Sequence, residues 1–188
     1  MNDTLLKLPN IITMIRIVLI VPFFILTILG KTLESLLVFT FAALTDVLDG
    51  QVARLLKMKT RIGSALDPAA DKLLMMSAFI VLSLPSINSV NTIPIWLTAV
   101  VIGRDILMVS GYFAYRFLRG EVSIVPSLLG KTSTVLQAIT VSLVLLLNSL
   151  GSSPEFLNFI YFLTLIFTLL SFLHYALLYT FRPPQTDD

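Results

Sequence analysis

Six long apolar runs follow one another along the chain, and they restrict its fold more than any other feature of the sequence. Each run is close to the roughly 20 residues that a helix needs to cross the hydrocarbon core of a bilayer. Only 13% of the 188 residues are charged, against about 25% in typical soluble domains. The sequence therefore predicts an all-α membrane protein, with six transmembrane helices in a single domain over residues 1–188.

The boundaries of the six helices follow from the breaker residues between the apolar runs. We predict helices at residues 10–29, 33–56, 66–84, 94–117, 130–149 and 156–180. Lys and Arg concentrate at one set of helix ends, which predicts that both termini and the basic connection at residues 57–61 are cytoplasmic. The expected location is a bacterial inner membrane, with the active site on its cytoplasmic side.

Composition excludes several classes of site. The chain has no Cys and a single His, which excludes disulfides, thiolate zinc sites and histidine-rich metal clusters. A net charge of +2, with the basic residues at predicted membrane edges, gives no surface for nucleic acid. We therefore expect no nucleic-acid partner.

Four aspartates stand in the second and third predicted helices, where charge is costly and marks function. Asp46 and Asp49 are three residues apart, and Asp67 and Asp71 are four apart, so each pair shares one helix face. The short connection predicts antiparallel neighbours whose acidic pairs converge. Carboxylates without His or Cys favour Mg²⁺ or Mn²⁺, and a two-ion site suits substitution at phosphorus.

The aspartates belong to a longer pattern in which small residues and an arginine stand at fixed distances from them. The pattern reads Asp46-x2-Asp49-Gly50-x2-Ala53-Arg54-x8-Gly63-x3-Asp67-x3-Asp71. It resembles the signature of the CDP-alcohol phosphatidyltransferase family, and the run from Leu8 to Arg16 is similar to that family's first-helix entry.

The resemblance implies that the four aspartates hold two divalent ions, which bind the diphosphate of CDP-diacylglycerol. It assigns Asp71 as the catalytic base for the acceptor hydroxyl, with CMP as the leaving group. It also implies a homodimer among membrane lipids. The donor would contact four further signature residues: Gly50, Ala53, Arg54 and Gly63.

The acceptor is predicted from the fourth and fifth helices, where Arg104, Asp105 and Lys131 are candidate acceptor-binding residues. These segments resemble the branch of phosphatidylglycerophosphate synthases and CMP-forming cardiolipin synthases. The former commonly carry Arg-Glu at 104–105 and a second Lys where this chain has Ser133. One cation fewer suits the single charge of a phosphodiester, which favours phosphatidylglycerol over glycerol 3-phosphate as acceptor.

Other interpretations compete with these. Intramembrane acids also occur in ion-coupled transporters, and prenyltransferases share acidic metal motifs, although theirs usually lie far apart in the chain. Arg16, inside the first apolar run, is open to two interpretations, a buried ion pair or a substrate contact. In the last helix, Phe and Leu residues are expected to face lipid and Tyr175 to join an interfacial belt.

Overall fold

The computed structural model describes residues 8–55, 63–87, 90–119 and 127–181. Within these ranges the regular structure is helical throughout, and all six predicted helices are confirmed, with ends within about three residues of the predicted ones. They are α1 (Leu8–Ile28), α2 (Thr32–Leu55), α3 (Gly63–Leu82), α4 (Ile95–Arg119), α5 (Leu128–Ser149) and α6 (Phe156–Phe181).

Helices α1 and α5 end in the same way, at a glycine with left-handed backbone. The φ angle is 72° at Gly30 and 63° at Gly151, a region that glycine enters without steric cost. The amide of the following residue donates to a carbonyl five residues earlier, at 2.9 Å after Gly30 and 3.0 Å after Gly151. These are Schellman caps, so both glycines terminate helices.

The helices group into two compact units. The first unit, Met1–Ile93 with Val141–Pro154, contains α1, α2, α3 and the end of α5. The second unit, Pro94–Thr140 with Glu155–Asp188, contains α4, the start of α5 and α6. The signature residues belong to the first unit, and the candidate acceptor residues belong to the second. A single domain over the whole chain stays a prediction.

In the first unit, α1 packs against both α2 and α3. The rings of Phe23 on α1 and Phe39 on α2 have centroids 5.8 Å apart, and both side chains are buried. The connection between α3 and α4 is held by Asn91, whose backbone and side-chain amides donate to Asn148 Oδ1 at 2.8 and 2.9 Å. Asn148 Nδ2 donates in return to the Asn91 carbonyl.

In the second unit, α4 packs against α6, and the rings of Trp96 and Phe162 stack at 5.8 Å. The surface of α6 is strongly apolar: Phe159, Phe162 and Leu173 are all more than half exposed. Exposure of large apolar side chains along a helix is what a lipid environment favours.

Among the residues searched, two helical segments are long and apolar enough to cross a membrane, Leu128–Ser149 and Phe156–Leu177. Among the same residues, helices α1, α2 and α3 supply shorter apolar stretches, Met14–Ile28, Thr32–Thr45 and Lys72–Leu82. Six helices are therefore confirmed, whereas six membrane crossings stay a prediction.

Candidate functional site

The signature lies on two helices of the first unit. Helix α2 carries Asp46, Asp49, Gly50, Ala53 and Arg54, and α3 begins at Gly63 and carries Asp67 and Asp71. The helical backbone gives each aspartate pair the predicted spacing on one face. The side chains of these residues lie outside the described part, so the metal cluster and donor pocket stay predictions. Among side chains that are described, no group of three or more His, Asp or Glu could hold a metal.

Arg104 and Asp105 form a buried ion pair in α4. Arg104 Nη1 donates to Asp105 Oδ1 at 2.6 Å, and the two residues are 5% and 3% exposed. A guanidinium remains charged at any depth, so the carboxylate offsets much of its field. Arg104 Nε has no hydrogen-bond partner among the described residues.

A second contact fixes Arg104 from another helix. Arg104 Nη2 donates to Ser171 Oγ of α6 at 2.6 Å, and Ser171 is fully buried. Hydrogen bonds to a charged group are worth about 1.5–3 kcal/mol, more than neutral ones. Asp105 and Ser171 together hold the guanidinium in one orientation.

Ser133 and Gln137 of α5 lie in a neutral network one turn further along α6. Ser133 Oγ and Thr168 Oγ1 are 3.2 Å apart, and Gln137 Nε2 donates to both hydroxyls at 3.3 Å. All three side chains are fully buried. Ser133 is thus part of the interior of the second unit.

The start of α5 is tied to the same stretch of α6. Ser127 caps the helix by accepting a hydrogen bond from Gly130 N–H at 3.0 Å, and its own amide donates to Tyr175 Oη at 3.0 Å. Lys131 follows in the first turn with its side chain exposed. Tyr175 is only 7% exposed, so the expectation of an interfacial residue is wrong for it: its hydroxyl anchors α5.

Helix α6 collects these contacts through one buried face, which we call the α6 polar stripe. It consists of Thr164, Thr168, Ser171 and Tyr175, which recur at helical spacing. Thr164 Oγ1 contacts Thr140 Oγ1 at 2.7 Å, and the other members contact the groups described above. Because residues 168–175 span about 10 Å along the axis, the structure brings Arg104, Asp105, Ser133 and the first turn of α5 around one segment.

Hydropathy alone predicts no role for this stripe. Its signal was present as four hydroxyl-bearing residues at intervals of four, three and four in the most apolar part of the chain. Polar side chains of a membrane helix that share one face commonly meet neighbouring helices. The surrounding Phe and Leu residues dominated the hydropathy and concealed that periodicity.

Arg16 is fully buried in α1, in the unit that carries the signature. Of the two interpretations the sequence left open, burial is compatible with both an ion pair and an enclosed substrate contact. Its side chain is among the largest that the first unit encloses.

Comparison with known proteins supports one family. A profile of the CDP-alcohol phosphatidyltransferase family matches residues 6–174. A Rickettsia bellii protein named CDP-diacylglycerol--glycerol-3-phosphate 3-phosphatidyltransferase is 39% identical, covering 82% of this chain and 82% of its own length. One of the same name from Bacillus subtilis is 35% identical, covering 76% and 78%. A Drosophila melanogaster protein named as a probable cardiolipin synthase (CMP-forming) is 30% identical over 76% of this chain and 48% of its own length.

Proposed function

The chain belongs to the CDP-alcohol phosphatidyltransferase family, and from this premise we propose that it transfers a phosphatidyl group from CDP-diacylglycerol to an acceptor containing a glycerol phosphate. The observation that carries the proposal is the complete signature from Asp46 to Asp71, whose named residues fall in helix α2 up to Arg54 and in helix α3 from Gly63. An ion-coupled transporter would explain the acids but not the glycines, alanine and arginine at fixed distances from them.

The four aspartates of the signature are ligands of the type that divalent metal ions prefer. Four carboxylates on two helix faces, with no His or Cys between them, suit Mg²⁺ or Mn²⁺, and we propose two ions held by Asp46, Asp49, Asp67 and Asp71. When bound, such ions neutralise charge on the diphosphate and on the departing CMP. Small side chains at Gly50, Ala53 and Gly63, together with Arg54, would admit the nucleotide.

The reaction forms one bond and breaks one at the same phosphorus atom. The acceptor hydroxyl oxygen bonds to the phosphorus of the phosphatidyl group while the bond from that phosphorus to the CMP oxygen breaks. The bonding electrons leave with CMP. The hydroxyl proton passes to Asp71, which we propose as the general base.

Two acceptors compete, and different observations favour each. Arg104 is ion-paired with Asp105, and position 133 is a buried neutral serine, so the positive charge at these residues suits the single charge of a phosphodiester better than the nearly double charge of a phosphomonoester. That favours phosphatidylglycerol, giving cardiolipin. Glycerol 3-phosphate is the second candidate, because relatives with high coverage of both chains are named for that acceptor.

The proposal also includes the membrane topology and the oligomeric state. We propose six membrane crossings in a single domain, with the signature and both termini on the cytoplasmic side of a bacterial inner membrane, and a homodimer. The exposed apolar surface of α6 supports burial in lipid.

CMP release from CDP-diacylglycerol by purified protein in detergent tests the proposal. We expect release only when Mg²⁺ or Mn²⁺ and an acceptor are both present, and loss of release in excess EDTA. No CMP with either acceptor would refute the enzyme assignment. With both acceptors present together, mass spectrometry should find mainly cardiolipin, whereas mainly phosphatidylglycerophosphate would establish the second candidate.

A further inference from the structure

Gln137 lies in the contact between α5 and α6, and its amide nitrogen is fully engaged. Its Nε2 donates to Ser133 Oγ and to Thr168 Oγ1, each at 3.3 Å. A primary amide carries two N–H bonds, so both have an acceptor. The residue is 0% exposed, and these two bonds set which end of the amide faces the two hydroxyls.

The oxygen at the other end of this amide is buried without a donor. Gln137 Oε1 accepts no hydrogen bond from the described residues. One turn further along α5, by contrast, Thr140 Oγ1 lies 2.7 Å from Thr164 Oγ1 and donates to the Leu136 carbonyl at 2.8 Å. Buried polar atoms are nearly always hydrogen-bonded, because an unmatched one costs free energy. Gln137 Oε1 is therefore suited to accept a hydrogen bond from a bound molecule.

Arg104 brings a cation to the adjacent turn of the α6 polar stripe. Its Nη2 donates to Ser171 Oγ at 2.6 Å, and Ser171 is three residues from Thr168, which holds Gln137. Side chains three apart on a helix have Cβ atoms about 5–6 Å apart. An acceptor whose phosphate binds Arg104 can therefore place the hydroxyls of its glycerol within reach of Gln137.

The chemistry of the two candidate acceptors identifies the group that would donate. Neither glycerol 3-phosphate nor phosphatidylglycerol contains nitrogen, so the donor is a hydroxyl. Each acceptor has a terminal hydroxyl on its glycerol, which reacts, and a middle hydroxyl beside it. The terminal hydroxyl gives its proton to the base in the proposed reaction, which leaves the middle hydroxyl free to donate elsewhere.

We propose that Gln137 Oε1 accepts a hydrogen bond from the middle hydroxyl of the acceptor's glycerol, which makes Gln137 a determinant of acceptor specificity. This role rests on the proposed function and extends it: Arg104 binds the phosphate, and Gln137 recognises the glycerol. Because the two candidate acceptors share the middle hydroxyl, Gln137 selects glycerol among alcohols and does not discriminate between these two.

Acceptors that lack only the middle hydroxyl test this role. They are 3-hydroxypropyl phosphate in place of glycerol 3-phosphate, and phosphatidyl-1,3-propanediol in place of phosphatidylglycerol. In CMP release by the purified full chain in detergent with Mg²⁺, we expect the wild-type kcat/KM to be about 3- to 10-fold lower for the deoxy acceptor, the effect of one neutral hydrogen bond. The KM for CDP-diacylglycerol should not change. Equal use of the two acceptors would overturn the proposal, since the amide oxygen would then meet water or no donor.

Variants of Gln137 assign the preference to this residue. Gln137→Met keeps the length of the side chain but removes the oxygen, so the kcat/KM values for the two acceptors should become nearly equal. Gln137→Asn, which is one methylene shorter, should reduce the preference in the same way and serves if the methionine variant does not fold. A wild-type preference in either folded variant would contradict the assignment.

The matched control is Thr140→Val, which removes another buried hydroxyl contact between α5 and α6. It should lower the Tm slightly and keep the wild-type preference for the acceptor with the middle hydroxyl. Loss of the preference in this variant would show that helix packing, rather than the amide oxygen, sets it, and the role of Gln137 would fall.

Failure of this role and failure of the proposed function give different results. Wild-type protein that releases no CMP with any glycerol-containing acceptor would refute the proposed function and this role together. CMP release with equal use of both members of an acceptor pair would retain the enzyme and remove only the role of Gln137.

Discussion

Ser171→Ala removes a single hydroxyl, the one that accepts from Arg104 Nη2 at 2.6 Å. Both residues are buried, so no water is expected to replace the lost partner. The remaining restraint on Arg104 is Asp105 on its own helix. We expect the guanidinium to lose its orientation toward the acceptor while its charge is unchanged.

The size of the effect follows from the type of bond. Hydrogen bonds to charged groups contribute about 1.5–3 kcal/mol, which corresponds to about a 10- to 150-fold change in a rate or binding constant. If Ser171 positions Arg104 for the acceptor phosphate, the acceptor kcat/KM should fall by about that factor. The KM for CDP-diacylglycerol should stay unchanged, and Ser171→Thr, which retains a hydroxyl, should recover part of the loss.

The matched control is Thr164→Val, two turns away on the α6 polar stripe. It removes the contact with Thr140 at 2.7 Å, where hydrogen bonds between membrane helices average about 0.6 kcal/mol. We expect a small fall in Tm and no change in the acceptor KM. If Ser171→Ala lowers the Tm in the same way and leaves acceptor kinetics intact, Arg104 has only a structural role and the acceptor assignment fails.

Three further changes test other parts of the molecule. Asp71→Asn should abolish CMP release while CDP-diacylglycerol binding persists in part, because the base is lost but three proposed metal ligands remain; full activity would disprove the assigned base. Asn148→Ala leaves buried groups of Asn91 without hydrogen-bond partners, at a cost of about 1–3 kcal/mol. The Tm should therefore fall by about 3–10 °C, while CMP release stays unchanged. An unaltered Tm would contradict this. Gly130→Ala would put a Cβ 3.0 Å from Tyr175 Oη, which should displace that ring from the start of α5 and lower the Tm. The double variant with Tyr175→Phe should lose less Tm than the two single variants lose together.

Much of the architecture was determined by the sequence alone. Apolar runs of bilayer length gave the six helices, because in a helix every backbone group can be satisfied within the segment, and Gly30 marked a terminus because it adopts a left-handed cap. The proposed catalytic residues are also close together in the sequence. Asp46 to Asp71 lie on two successive helices, and the family to which this pattern pointed is confirmed by the match over residues 6–174.

The partners of each buried polar group were decided by tertiary structure. Arg104 and Ser171 are 67 positions apart, and nothing in hydropathy links them, because a pairing between distant helices depends on their rotation and register. Tyr175 was misassigned for the same reason, since its position near a helix end is the same whether its hydroxyl faces headgroups or caps α5. Periodicity identified the residues that share a face, but only the packed helices determined what each face meets.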